Sequence, residues 1–215
     1  IQDDHFQRYL FAKQYVSNKA VLDIACGYGY AAPLLMQGGA KNYVGVDIKS
    51  NLVENAKNIY KGNNIDFYVG DICNFKLDLA IDVIVCFETI EHVLDFKKAL
   101  KNLYNMLSSG GVMLISSPNR EVVSPGCNNL SDAPNNSFHT QEFKIDELIK
   151  ELVDAGFVCD RSNVRGQRVS NLYFRNNLLR RWVKKIYDPD HLANPKPINF
   201  KFGRPRYFII EAFKK

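Results

Sequence analysis

The side chains with most chemical capacity fall in a few short stretches. Val21-Leu22-Asp23-Ile24-Ala25-Cys26-Gly27-Tyr28-Gly29-Tyr30 reads as a buried strand that runs into a Gly-x-Gly turn and opens a helix. Glycines at such a turn permit positive φ and let a ligand approach the backbone. The helix start offers free N–H groups and a partial positive charge to a carboxylate or phosphate. Three acidic positions accompany the turn: Asp23 four residues before Gly27, Asp47-Ile48 at the end of a second apolar run, and Asp71-Ile72 after a third. Further on, Glu88, Glu91 and His92 stand at i, i+3 and i+4, where one helical turn would share them on a face. His139 follows beyond a long polar stretch.

The acidic positions decide which ligand suits the turn. Because residue 32 is Ala, the turn also meets the loose dinucleotide pattern G-x-G-x-x-A. A carboxylate at Asp23, at the mouth of the first strand, would repel a pyrophosphate and attract an ammonium group. Asp47 can accept both hydroxyls of a ribose. Asp71 can accept from an adenine amino group while the N–H of Ile72 reaches the ring. Amine, ribose and adenine in that order describe S-adenosylmethionine better than NAD. An NAD-dependent oxidoreductase is disfavoured by Asp23 and by the lack of a matching catalytic constellation. Methyl transfer from a sulfonium requires alignment, exclusion of water and, for a hydroxyl acceptor, removal of a proton.

The base is therefore expected at the carboxyl ends of the fourth and fifth strands, where open α/β sheets bind ligands. His92 is the first choice, since an imidazole titrates near neutrality. His139 would close the pocket from the loop, and Phe87-Glu88 would lie under the methionine moiety. The competing readings are that Glu91-His92 merely starts a helix and that His139 caps the following one. Two carboxylates and two imidazoles can also hold a divalent cation. Tyr9, with His5 and Arg8, sits on a helix before the first strand and is placed to fold over the cofactor.

These segments resemble the class I S-adenosylmethionine-dependent methyltransferases, in particular small-molecule and glycan-modifying enzymes. Residues 23–29 look like that family's first motif, 44–48 its second, 70–72 its third and 81–93 its fourth. Gly110-Gly111 before Val112-Met113-Leu114-Ile115 resembles the turn into the fifth strand. The resemblance spans residues 8–157 and returns at 207–213. It implies a Rossmann-like three-layer sandwich whose seven-stranded sheet runs 3-2-1-4-5-7-6, with strand 7 antiparallel. It implies cofactor contacts at Tyr9, Asp23, Ala25, Gly27, Tyr28, Gly29, Asp47, Ile48, Asp71, Ile72, Phe87 and Glu88. Glu88-x-x-Glu91-His92 with a later His also resembles the magnesium-dependent small-RNA and some quinone O-methyltransferases. The aromatic surroundings of the second His in the RNA enzymes are absent, so no metal is assigned. A non-catalytic cofactor-binding subunit is a further alternative, which the Glu88/Glu91/His92 cluster opposes.

The elements that must position these residues alternate as short β-type and helical patterns, which argues for βαβ units and a mainly parallel sheet. Strands are expected at 20–25, 43–47, 66–70, 82–87, 112–116, 157–160 and 207–213. Helices are expected at 4–16, 30–37, 51–60, 96–107 and 145–155, with glycines at 38–39, 62 and 110–111 where helices stop. Residues 119–138, with Pro125, Gly126 and Pro134, read as a lid loop. Residues 161–206 read as an insertion before the last strand within one domain.

Composition bounds the rest. The 215 residues, 46% hydrophobic and 24% charged, suit one folded domain rather than a disordered chain. No apolar run approaches the roughly 18–20 residues of a membrane span, and no secretory leader is recognisable. Five cysteines without a CxxC pair fit reduced thiols in a cytoplasmic protein. The net +5 is unevenly spread: residues 1–160 carry 14 Lys+Arg against 20 Asp+Glu, and residues 161–215 carry 14 against 3. Phe174, Leu178, Trp182 and Ile186 recur every four residues among the arginines, as in an amphipathic basic helix. The expected partner is an anionic small molecule, a sugar or nucleotide-sugar of polysaccharide biosynthesis. Contact with an acidic membrane surface is the other use of such charge, and no nucleic-acid-binding module accompanies it.

Overall fold

The computed structural model describes residues 2–170, 194–198 and 203–215. The amphipathic basic helix expected around Phe174–Ile186 lies outside the described residues. The elements run α1 (Gln2–Ala12), β1 (Ala20–Ile24), α2 (Ala31–Gln37), β2 (Asn42–Asp47), α3 (Ser50–Ile59), β3 (Ile65–Val69) and β4 (Ile81–Phe87). They continue with α4 (Phe96–Met106), β5 (Leu107–Pro118), α5 (Arg120–Val123), α6 (Ile145–Ala155), β6 (Val164–Ser170), β7 (Lys196–Pro197) and β8 (Arg204–Phe213). The sheet order is β3-β2-β1-β4-β5-β8-β6-β7. Strands β1 to β5 are parallel to their neighbours, and β8 lies antiparallel between β5 and β6.

Alternate strand residues serve opposite faces of the sheet, as a period of two requires. Leu22, Ile24, Ile84, Cys86, Met113 and Ile115 meet α4 and α6. Val21, Tyr43, Val83, Val85 and Leu114 meet α1, α2 and α3. The helices present matching stripes. In α4, Ala99, Leu100 and Leu103 are buried, and the Asp95 carboxylate accepts from Lys98 N at 3.1 Å to start the helix. In α6, Ile145, Leu148, Leu152 and Ala155 are buried, Glu147 accepts from Lys144 N at 2.9 Å, and Gly156 ends the helix at φ +113°. Each fully buried Leu or Ile contributes roughly 1.5–3 kcal/mol.

Three expectations need correction. The sixth strand is not 157–160. There Val158 makes only an isolated bridge to Phe213, and the Asp160 carboxylate caps the next turn by accepting from Ser162 N at 2.7 Å. The strand is β6, seven residues that lie inside the segment expected to be an insertion. The sheet has eight strands, because the two-residue β7 adds to the edge of β6. Strand β5 begins at Leu107, five residues early, carrying Gly110-Gly111 within it.

The basic C-terminal part is fastened to the acidic body. Arg161 pairs with Asp146, Arg168 with Asp4 at 2.7 Å and Arg204 with Glu121 at 3.6 Å, while Arg165 pairs within the basic part, with Glu211 at 2.8 Å. A share of the charge asymmetry is thus spent on folding rather than on a ligand. Among the described residues no helix is long and apolar enough to cross a membrane, and the five cysteines are free.

Candidate active site

The glycine turn closes β1 and is shaped by φ. Ala25, Gly27 and Gly29 all take the left-handed region, at +58°, +57° and +72°. At Gly27 a Cβ would meet nothing within 4 Å, so the backbone there borders open space. At Gly29 a Cβ would stand 2.6 Å from the Phe67 ring and 2.9 Å from the Ala56 Cβ, so that glycine seats the turn against α3 and β3. Asp47 holds the turn rather than facing away from it: its Oδ2 accepts from Gly27 N and its Oδ1 from Lys49 N, both at 2.9 Å. Beside it Tyr28 and Ile48 are 59% and 66% exposed, two large side chains left uncovered at the open space. Asp71 is also exposed, and its Oδ1 accepts from Cys73 N at 2.8 Å.

Asp23 is placed differently from its expected position at the mouth of the strand. It is fully buried, and its carboxylate accepts from the Tyr43 hydroxyl at 2.7 Å and the Tyr9 hydroxyl at 3.1 Å. Burial pushes its pKa up to about 7. Tyr9 lies edge-on to Tyr30 and Phe87, so Asp23 pins α1 across the glycine turn and the end of β4. Tyr43 was not foreseen; a hydroxyl on an otherwise apolar central strand was the available signal.

A cleft of about 520 Å³ opens at the carboxyl ends of β4 and β5. Its walls include Arg8, Glu88, Glu91, His92, His139 and Tyr207. Glu88 has φ +49°, a conformation that costs of order 1 kcal/mol in a non-glycine residue. Ser116 holds it there: the Ser116 hydroxyl accepts from Glu88 N at 3.0 Å and donates to Glu88 Oε1 at 2.8 Å. The Arg8 guanidinium stands 3.5 Å from the same carboxylate. Burial raises the Glu88 pKa despite Arg8. Ser116 was missed in the sequence, though a hydroxyl ending the apolar run of β5 marks the ligand end of that strand.

Glu91 and His92 do not share a helix face. They sit in a single 3-10 turn, Ile90–His92, so Glu91 turns inward at 1% exposure and His92 stays exposed. Burial, and then the nearby Glu88, push the Glu91 pKa well up, and its Oε2 has no hydrogen-bond partner. His92 Nδ1 lies 2.7 Å from the Phe138 carbonyl, which can only accept, so Nδ1 carries the proton and Nε2 keeps its lone pair. His139 is used on both sides: its Nδ1 meets Glu142 Oε1 at 2.7 Å and its Nε2 meets Asn136 Nδ2 at 2.9 Å. The two rings contact edge to face with centroids 4.9 Å apart. One ligand atom each from Glu91, His92 and His139 lie within 4.8 Å of one another. The loop delivers His139 because Arg120, fully buried, donates to the carbonyls of Glu142 at 2.6 Å and Asn128 at 3.3 Å.

A strand order of 3-2-1-4-5 flanked by an antiparallel hairpin, with a glycine turn after β1 and a polar cleft after β4, defines the class I methyltransferase architecture. A family profile described as a methyltransferase domain matches residues 16–171. The chain belongs to that family, and S-adenosylmethionine is its cofactor. It is 34% identical over 139 residues to a Mycobacterium tuberculosis protein named as a probable S-adenosylmethionine-dependent methyltransferase, covering 64% of this chain and 48% of that one. It is 35% identical over 109 residues to the ubiquinone biosynthesis O-methyltransferase of Rickettsia prowazekii, covering 49% of this chain and 42% of the other. The chain spans about half the length of the curated relatives it matches. In fold it is similar to an S-adenosylmethionine-dependent methyltransferase from Mesorhizobium loti, with a TM-score of 0.67, 14% identity and 97% of both chains covered.

The residues present fit the cofactor. The uncovered backbone at Gly27, the exposed Tyr28 and Ile48 beside it and the carboxylate of Asp47 offer a cradle with apolar and hydrogen-bonding walls. Asp23 acts behind this cradle, through Tyr9 and Tyr43.

Proposed function

We propose that this chain is an S-adenosylmethionine-dependent O-methyltransferase whose acceptor is a hydroxyl of a small anionic molecule, a sugar or nucleotide-sugar being the best fit, with His92 as the base. The observation that carries the reading is the His92 imidazole, oriented by the Phe138 carbonyl with a free Nε2 in the cleft. When bound, the cofactor supplies a methyl group on a positively charged sulfur that departs as a neutral thioether. The protein's task is to hold acceptor and cofactor in line and to take one proton.

His92 Nε2 accepts that proton from the acceptor hydroxyl. The resulting imidazolium keeps Nδ1–H on Phe138 and lies near Glu88, whose carboxylate favours the cation. His139, occupied by Asn136 and Glu142, packs against His92 and steadies it. The polar cleft walls suit a polyhydroxylated acceptor more than a flat apolar one. Transfer of labelled methyl from S-adenosylmethionine to a panel of sugar phosphates and nucleotide-sugars tests this. His92→Ala is expected to lower kcat by about 10²–10⁴ while S-adenosylhomocysteine binding stays intact. Undiminished turnover in that variant refutes the base.

A second reading is favoured by a separate observation. Glu91 Oε2 and Glu142 Oε2 are both buried without a hydrogen-bond partner, beside two imidazoles. Glu91, His92 and His139 are the donors that would hold a divalent cation there. It would act as a Lewis acid on the acceptor oxygen, as in a metal-dependent O-methyltransferase of RNA or quinones. Turnover that survives a strong chelator and is unchanged by added magnesium removes this reading.

A further inference from the structure

The cleft has a second end, away from the imidazoles, built from Arg8, Arg206 and Tyr207. Arg8 is 1% exposed, and each part of its guanidinium is accounted for except one. Nε donates to Gln167 Oε1 at 2.8 Å, Nη2 stands 3.5 Å from Glu88, and Nη1 has no hydrogen-bond partner among the described residues. The guanidinium lies over the Tyr207 ring, 5.0 Å from its centroid. Arg206 lies 5.8 Å from the same centroid and is exposed. A buried guanidinium N–H without an acceptor carries an uncompensated desolvation cost, which an incoming acceptor would relieve.

Charge accounting singles out this end. Among the described residues lining the cleft, Asp4 is taken by Arg168 and Glu142 by His139. Glu88 is left to face Arg8. His5, on the same wall, is held neutral down to about pH 4, first by burial and then by Arg8, so an added cation is unwelcome there. Arg206 has no carboxylate partner among the described residues, unlike Arg161, Arg165, Arg168 and Arg204. The lining of this cleft includes neither the glycine turn nor Asp47.

The geometry points to Arg8 and Arg206, flanking Tyr207, as the subsite that takes an oxyanion of the acceptor, a phosphate or a carboxylate. This inference rests on the methyl-transfer reading and deepens it by naming what sets acceptor specificity. A guanidinium matches either oxyanion through paired N–H donors. The Tyr207 ring lies within cation–π reach of both guanidinia and so helps hold the two cations at one place.

The test is calorimetry on the whole chain saturated with S-adenosylhomocysteine, titrated with pyrophosphate and, separately, with succinate. Wild type is expected to bind one of the two, the stronger probe showing whether the group is a phosphate or a carboxylate. Arg206→Gln, an exposed position whose loss leaves the fold intact, is expected to weaken that binding about tenfold. Arg204→Gln removes equal charge from the same strand outside the cleft and should change it less than twofold. Arg8→Lys keeps the charge but not the paired donors, and should weaken the probe about as much as Arg206→Gln. Binding of neither probe overturns the subsite, as does equal weakening by Arg204→Gln. A parallel fall in S-adenosylhomocysteine affinity for Arg206→Gln also overturns it, since the cation would then serve the cofactor's carboxylate. If wild type fails to bind S-adenosylhomocysteine at all, the methyl-transfer reading falls instead.

Discussion

Replacing Asp23 by Asn should stabilise the fold increasingly as the pH rises through neutrality. In the fold, burial raises the Asp23 pKa to about 7, whereas an unfolded Asp titrates at 3.8. A raised carboxyl binds its proton more tightly when folded, so its stabilising effect is complete below about pH 4 and fades as pH rises through 7. From pH 5 to 8 the wild type therefore loses about two pKa units of differential proton binding. At roughly 1.4 kcal/mol per unit this is about 3 kcal/mol. Asn titrates nowhere in the range, but its amide NH2 replaces one of the two oxygens, so Tyr9 loses its 3.1 Å acceptor and keeps only the longer 3.3 Å approach to the oxygen that Tyr43 also uses. One lost buried hydrogen bond costs about 1 kcal/mol. That cost shows only below about pH 4, so Asp23→Asn is expected to be within about 1 kcal/mol of wild type at pH 5 and about 3 kcal/mol more stable at pH 8. Urea unfolding of both proteins at the two pH values measures the difference, which cancels the other titrating groups. A stability difference that stays constant from pH 5 to 8 refutes the buried, proton-binding Asp23 described above.

Gly29→Ala introduces a Cβ at φ +72° and 2.6 Å from the Phe67 ring, and is expected to cost about 1–3 kcal/mol; calorimetry should show S-adenosylhomocysteine affinity falling with it. Leu103→Ala removes a fully buried side chain of α4 and is expected to cost about 2–5 kcal/mol in chemical denaturation, while at temperatures where the variant remains folded its kcat should stay within about twofold of wild type.

The cofactor half was legible because its signals are local. A glycine at positive φ and an acid closing a strand are each set by their own chain neighbours, and Gly27 follows β1 and Asp47 ends β2 as expected. Asp23 was legible as a residue but not in its role. Whether a carboxylate at a strand's end faces ligand or core depends on Tyr9 and Tyr43, and no spacing rule joins those three. The shared helix face for Glu88, Glu91 and His92 failed for a related reason. The backbone leaves β4 through a left-handed residue at Glu88, which resets the phase before the turn begins. Strand β6 escaped notice because Val164-Arg165-Gly166-Gln167-Arg168 is mostly polar: Arg165 and Arg168 face the carboxylates of Glu211 and Asp4, and Gln167 accepts from Arg8. Read alone, it resembles a loop.

The clasp of α1 has a temporal side. Arg8 is held by Gln167, and Asp4 by Arg168, across 159 and 164 residues of chain. During synthesis α1 has no β6 to receive it until the 159 residues that separate Arg8 from Gln167 have been added. The sheet from β1 to β5 can form from neighbours in sequence, whereas this wall of the cleft closes through the most distant contacts and so tends to form late. A nascent chain stalled before Val164 would carry the glycine turn complete while its acceptor cleft still lacked one side.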